Sequence, residues 1–211
     1  MNLALFDLDN TLLPIDSDYS WGEFTNRLGW NDPVAFKAQN DRFYADYQAG
    51  VLNIHDYVRF ATEAVKLKGA DAAAKAHDLF MQEVILPQVK SQALDLVKQH
   101  QAAGDHVMIV TATNEFVTRP IAHAFGVQEL IAVELARDSR GWITGEISGT
   151  PSFKEGKVIR VSEWLSANQK TWQDVQITFY SDSINDLPLL ERAQIPVAVN
   201  PDARLRQLAT D

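Results

Sequence analysis

Carboxylates stand where a buried strand would end. Leu3-Ala4-Leu5-Phe6 runs into Asp7, Asp9 follows two positions on, and Thr11 comes close behind. A short apolar run bounded by polar turn residues reads as a buried strand of a parallel sheet. In open α/β sheets the ligand crevice lies outside the carboxyl ends of the strands. Two carboxylates this close repel, and a divalent cation is one way to hold them. An isolated pair at that spacing serves about as often to cap the next turn, so the other strand ends matter. His106–Val110 reads as a second strand running into Thr111-Ala112-Thr113-Asn114. Ile177–Tyr180 is a strand running into Ser181-Asp182-Ser183-Ile184-Asn185-Asp186. Asp7, Asp9 and Asp182 offer hard oxygen ligands suited to Mg²⁺. Thr111 offers a hydroxyl and nearby backbone N–H groups at a helix N-terminus, a phosphate site. Lys157 offers a cation against a transferring phosphoryl group. The set suits phosphoryl transfer to a carboxylate, in which positioning and charge neutralisation do most of the work.

The elements that must carry these groups fall into two blocks. Residues 15–85 show helical spacing without a convincing strand: Asp32-Pro33 starts one helix that Gly50 ends, Asn53 caps a second closed by Gly69, and a third covers about 70 to 84. From Leu86-Pro87 onward helices and strands alternate. Ser91–Ala103 is a helix ending at Gly104, and a helix from about Glu115 stops at Gly126. Leu130–Leu135 is a third strand, Trp142–Ile147 returns as a hairpin arm, Glu155–Ala167 is helical, and Pro196–Val199 is a last strand. The expected fold class is therefore α/β, a Rossmann-like parallel sheet covered on both faces (1–14 and 86–211), with an inserted all-helical domain at 15–85.

Composition sets outer bounds. The chain has 211 residues, 46% hydrophobic, enough for a real core, and no cysteine, which excludes disulfides and zinc–thiolate sites. A formal charge of −9 disfavours nucleic acid. No stretch reaches the roughly 18 apolar residues of a membrane span. The expectation is a cytoplasmic protein, without membrane or nucleic-acid partners; the sequence leaves its oligomeric state open.

Taken together the motifs resemble the haloacid dehalogenase (HAD) superfamily of aspartate-nucleophile phosphatases, over essentially the whole chain. The first is Asp7-Leu8-Asp9-Asn10-Thr11, the second Thr111, the third Lys157 in Glu155-Gly156-Lys157-Val158, and the fourth Ser181-Asp182-Ser183-Ile184-Asn185-Asp186. The insert looks like a C1 cap of the phosphoserine-phosphatase-like subfamily IB. Many relatives have glycine where Ser181 stands, and Lys154 competes with Lys157 for the third motif. The resemblance implies that Asp7 attacks phosphorus to form an aspartyl-phosphate. Asp9 would protonate the leaving alcohol and then activate water. Mg²⁺ would be held by Asp7, the main-chain carbonyl of Asp9, and Asp182. Asp186 would orient metal waters or Lys157, and Thr111, the Asn114 region and Lys157 would hold the phosphoryl oxygens. Asp186 has a plainer alternative, as N-cap of the next helix.

The same likeness bears on the substrate, a small phosphomonoester. Phosphoserine phosphatases carry an acid after the first motif that receives the substrate amine, and Asp16 matches it. They also carry a cap arginine for the substrate carboxylate. Aligning Gly50-Val51-Leu52-Asn53 with their cap puts Ala61 there, with Arg59 two residues earlier and so on nearly the opposite helix face. Amine contact kept and carboxylate contact missing fit an amino-alcohol phosphate such as histidinol phosphate, with phosphoserine as the alternative. Trp21, Phe43, Tyr47 and His55 are candidates for an apolar or imidazole-accepting pocket, although cap core or surface is the plainer reading of each. His77, His100, His106, His123 and Arg119 stay outside the site. A phosphotransferase with the same nucleophile is a further alternative. A non-enzymatic receiver domain is far shorter and lacks both the insert and the second acid.

Overall fold

A computed structural model of the chain describes residues 1–210. Strand β1 (Asn2–Phe6) is followed by four helices: α1 (Ser17–Arg27), α2 (Pro33–Ala49), α3 (Ile54–Lys68) and α4 (Ala70–Phe80). A π-helical turn over Met81–Ile85 and a 3₁₀ turn over Leu86–Gln88 lead back to α5 (Ser91–Ala102), β2 (His106–Asn114) and α6 (Glu115–Ala124). Then come β3 (Glu129–Val133), β4 (Leu135–Arg137), β5 (Ile143–Ile147), α7 (Glu155–Ala167), β6 (Gln176–Ser181), α8 (Leu187–Leu190), β7 (Ile195–Ala198) and α9 (Ala203–Thr210). Five strands form a parallel sheet in the order β3-β2-β1-β6-β7, and β4 pairs antiparallel with β5. Among the described residues no helix is long and apolar enough to cross a membrane.

Side-chain alternation along the strands splits the core. Leu3, Leu5, Met108, Val110, Ile177 and Phe179 turn to the face covered by α7 and α8. Ala4, Phe6, Val107 and Ile109 turn to the other face, whose buried cluster continues into the insert through Trp21, Phe24, Val58 and Phe80. Central strands buried on both faces explain the near-continuous apolar runs.

Three local expectations change. Helix α1 is an element that the sequence pattern did not reveal: its residues are mostly polar, and Trp21 and Phe24 carry much of its apolar face. The pointer to it was Asp16, whose carboxylate caps it by accepting from the Tyr19 N–H at 2.8 Å. The helix expected over 70–84 is α-helical only to Phe80 and then widens into the π turn. The expected strand 130–135 divides into β3 and β4 around Glu134, and β4 leaves the parallel sheet for the hairpin.

Candidate active site

Strand register assembles the site. Phe6 pairs with Tyr180 on β6 and with Ile109 on β2. The N–H of Asp7 donates to the Tyr180 carbonyl at 2.9 Å, carrying the ladder one residue further. The ends of β1, β2 and β6 therefore lie side by side. The chain runs from β1 outward through β2 and β3, then returns to place β6 and β7 on the other side of β1. The β1–β6 crevice is thus the switch point where open α/β sheets bind ligands. Beyond Asp7 the chain coils tightly, with the N–H groups of Leu12 and Leu13 both donating to the Leu8 carbonyl at 2.9 Å. Asn10 sits at φ 60, a left-handed conformation asparagine tolerates better than most residues.

At the base, Lys157 is 1% exposed and donates to Asp7 Oδ1 at 2.8 Å and to Asp186 Oδ2 at 2.7 Å. Burial works against the lysine's charge, but Asp186 and Asp7 outweigh it and hold it above its ordinary value. Burial raises the Asp7 carboxyl, and Lys157 opposes that shift. Ser181 donates to the same Asp186 oxygen at 2.7 Å. The serine that replaces the more usual glycine thus helps to fix Asp186. The capping alternative for Asp186 fails, because its side chain makes no cap bond to α8. Lys154 takes the other role: its Nζ donates to the Gly50 carbonyl at 2.6 Å, away from Asp7. The loop before α7 is wound so closely that a Cβ at Gly156 would collide with the Pro151 carbonyl, which makes glycine necessary one residue before Lys157.

Asp9 points elsewhere. Its Oδ1 accepts from the Ser17 N–H at 2.7 Å and its Oδ2 from the Thr113 hydroxyl at 2.8 Å. Burial, then the charge of Asp16, push its carboxyl up to about 7. The expectation that three carboxylates converge needs correction. Among the described residues no three acidic, histidine or cysteine side chains group as a metal cage, because the Asp9 carboxylate is spent on Ser17 and Thr113. What remains is Asp7, Asp182 and the main-chain carbonyl of Asp9, to which no N–H of the described residues donates. Burial, then Asp7 and Asp186, raise the Asp182 carboxyl, the mark of clustered acids that a cation would relieve. One or two carboxylates completed by neutral oxygens is a donor set that fits Mg²⁺.

Thr111 is buried in the C-terminal half of β2, where its carbonyl accepts from Ser152 at 2.6 Å and its hydroxyl from the Thr113 N–H at 3.1 Å. Asn114 is not placed for phosphoryl oxygens. Its Oδ1 caps α6 through the Val117 N–H, and its Nδ2 donates to Asp18, each at 3.2 Å.

A pocket opens above Asp7 and Asp9. The insert lines it with Asp16 and Asp18 from the α1 start, Phe43 and Tyr47 from α2, and Tyr57 from α3, among others. No Lys, Arg or His is among its lining residues. Arg59 instead bonds Glu146 at 2.9 Å and Asp56 at 2.8 Å, with its side chain 50% exposed. Of the aromatic candidates, Phe43 and Tyr47 line the pocket. Trp21 is buried beneath it against Phe80 and Phe116, and His55 is exposed on α3. Asp18, Asn40, Tyr57 and Thr113 are pocket residues that sequence reasoning missed. The acid two residues past Asp16 was the one available signal.

Residues 4–191 match the haloacid dehalogenase-like hydrolase family. The chain belongs to that family. As a HAD hydrolase it is 43% identical over 211 residues, 100% of this chain and 95% of the relative, to a histidinol-phosphatase of Neisseria meningitidis serogroup C (strain 8013). It is 28% identical over 220 residues to phosphoserine phosphatase SerB1 of Mycobacterium tuberculosis (strain ATCC 25618 / H37Rv), covering 99% of this chain and 68% of that one. A protein of unknown function from Bordetella pertussis Tohama I superposes with a TM-score of 0.92 at 46% identity, over 99% of this chain and 94% of that one. A substrate-bound phosphoserine phosphatase superposes at 0.67 with 16% identity, over 97% and 89%, and shares the fold.

Proposed function

We propose that this HAD-family phosphatase hydrolyses a small amino-alcohol phosphate, histidinol phosphate foremost, through an aspartyl-phosphate on Asp7. The observation that carries the substrate is the lining of the pocket. It offers carboxylates and aromatic rings but no cationic side chain, and Arg59 is held by two acids elsewhere. A substrate carboxylate enclosed there would be left uncompensated, whereas an ammonium finds Asp16. The 43% identical relative named as a histidinol-phosphatase supports the same choice.

In this reading residues 15–85 are the cap and the rest of the chain is the catalytic core. Lys157 opposes the rise that burial imposes on Asp7 and aims its carboxylate, so that the free oxygen attacks phosphorus. Asp9, anchored by Ser17 and Thr113 and raised to about 7, is protonated often enough near neutrality to donate to the departing alkoxide. It then takes the proton of the water that opens the acyl phosphate. Thr111 and Lys157 hold phosphoryl oxygens. Asp7, Asp182 and the Asp9 carbonyl would hold Mg²⁺, which would neutralise phosphoryl charge. Asp186, fixed by Ser181, orients Lys157.

Phosphate release from histidinol phosphate, phosphoserine, phosphoethanolamine and sugar phosphates tests the reading. Histidinol phosphate should lead in kcat/KM by roughly 10²-fold over phosphoserine. A lead for phosphoserine would mean that Arg59 or another cation reaches the site, and a lead for neutral sugar phosphates would mean that Asp16 reads no amine.

A further inference from the structure

The C-terminal end of α2 sits in a cradle of core donors. Lys154 Nζ donates to the Gly50 carbonyl at 2.6 Å, Asn185 Nδ2 to the Tyr47 carbonyl at 3.0 Å, and Arg204 Nη1 to the Ala49 carbonyl at 3.5 Å. The last carbonyls of a helix have no partner within it and carry partial negative charge, so cations and amide donors suit them. Gly50 closes α2 at φ 73, and a Cβ there would stand 3.4 Å from Asn185 Oδ1 and 3.5 Å from Arg204 Nη1. Lys154 precedes Lys157 by three residues, and Asn185 lies between Asp182 and Asp186. The cradle therefore seats the last turn of α2 against the loops that carry Lys157, Asp182 and Asp186.

Tyr47 belongs to that turn. Its ring meets the Phe153 ring at 6.0 Å between centroids, and the half-buried side chain lines the pocket that Asp7 and Thr111 also line. Around its phenol lie Asp186, Asp7, Ser183 and Asp182. A phenol is protonated near neutrality in any case, and burial with the charges of Asp186 and Asp7 raises it further. Tyr47 thus brings a neutral O–H donor to a site built largely of acceptors. A transferring phosphoryl group needs donors, because its three equatorial oxygens share the charge of the transition state. Lys157 spends two of its three hydrogens on Asp7 and Asp186, and Thr111 adds one hydroxyl hydrogen.

We propose that Tyr47 is a further catalytic residue: its phenol O–H donates to a phosphoryl oxygen above Asp7, carried there by the seating of α2 on Lys154, Asn185 and Arg204. The proton stays on the phenol throughout. The role rests on the aspartyl-phosphate reading of Asp7 and adds to it a group from the helical insert. Because the hydroxyl meets the phosphoryl group and not the alcohol, it serves every ester alike.

The test is Tyr47→Phe, which keeps the ring, the main chain and the cradle, assayed on p-nitrophenyl phosphate and on histidinol phosphate. kcat should fall by roughly 10²-fold on both esters with KM within about threefold of wild type, as for loss of a donor that is aligned in the transition state. Inhibition by orthovanadate, which copies the five-coordinate phosphoryl group, should weaken by a similar factor. Tm should stay at the wild-type value. A loss below about threefold overturns the proposal. So does a loss confined to KM or to histidinol phosphate, which would make Tyr47 a contact for the rest of the substrate. A loss cured by saturating Mg²⁺ would assign the hydroxyl to Asp182 and overturn it too. In each of these cases a beryllium fluoride adduct on Asp7 of the wild type leaves the aspartyl-phosphate reading standing, whereas no adduct there overturns both.

Discussion

Asp7 and Asp9 are two residues apart yet occupy different surroundings. Asp7 shares a buried lysine, whereas Asp9 is held by one N–H and one hydroxyl beside Asp16. Asp7→Asn should lower turnover by roughly 10⁴-fold or more, because an amide cannot replace the nucleophile. Trapping with beryllium fluoride should place the adduct on Asp7 in the wild type and give none in the variant. Asp9→Asn should reduce phosphorylation by an alkyl phosphate by roughly 10²- to 10³-fold, but less with p-nitrophenyl phosphate, whose leaving group needs little protonation. Equal losses in the burst phase for both esters would remove Asp9 from the acid role. The two lysines of the third motif should also separate. Lys157→Met strips the counter-charge from two buried carboxylates and should destabilise the protein by about 3 kcal/mol in urea unfolding, besides abolishing activity. Lys154→Met loses one exchangeable hydrogen bond to Gly50 and should keep activity within about fivefold.

Helix α1 joins fold and pocket, because Asp16 both starts it and lines the pocket. Serine caps a helix nearly as well as aspartate but carries no charge. Asp16→Ser should therefore keep the stability that Asp16→Ala loses, about 1 kcal/mol. Both variants should lose roughly 10²-fold in kcat/KM for an amino-alcohol phosphate. Parallel losses of stability and activity in both would reduce Asp16 to a cap. Helix α4 carries a pH-dependent contact. His77 is buried against Trp21, Phe80 and Phe116, with Nε2 3.1 Å from the Val117 carbonyl. Burial holds its pKa below the ordinary value. The unfolded chain therefore takes up a proton at about pH 6.5 while the folded chain does not. Stability from this site is full above that pH and falls as the pH drops toward the folded value. His77→Phe, which keeps the aromatic contacts, should flatten the loss of urea midpoint between pH 7.5 and 5.5 compared with wild type. An unchanged slope would show that other groups control it.

Across the whole molecule the helical insert and the sheet meet over one acidic pocket. The end of α2 is tied to the core by three donors: Lys154 to the Gly50 carbonyl at 2.6 Å, Asn185 to the Tyr47 carbonyl at 3.0 Å, and Arg204 to the Ala49 carbonyl at 3.5 Å. The buried acids repel one another, so a cation should stabilise the fold as well as serve catalysis. EDTA should lower phosphate release by roughly 10²-fold or more, and added Mg²⁺ should restore it and raise Tm. Full activity after EDTA treatment would discard the metal assignment.

The strand ends, the order of the acids and the parallel sheet were legible in the sequence. Buried strands write themselves as apolar runs, and turn residues bound them. So was the place of Asp7, Asp9 and Asp182 just beyond the ends of β1 and β6, because each follows such an apolar run at short spacing. Helix α1 was hidden, since most residues on its buried stripe are small or polar and only Trp21 and Phe24 are large and apolar. Asn114 was misplaced because sequence adjacency to Thr111 says nothing about which way an amide turns; here α6 and Asp18 claim it. The pairing of Lys157 rather than Lys154 with Asp7, and the bond from Asn114 to Asp18, depend on contacts between residues far apart in the chain. Spacing sets what one element can present. Only the packing of α1, α2 and α7 around the β1–β6 crevice decides which of those groups share a space.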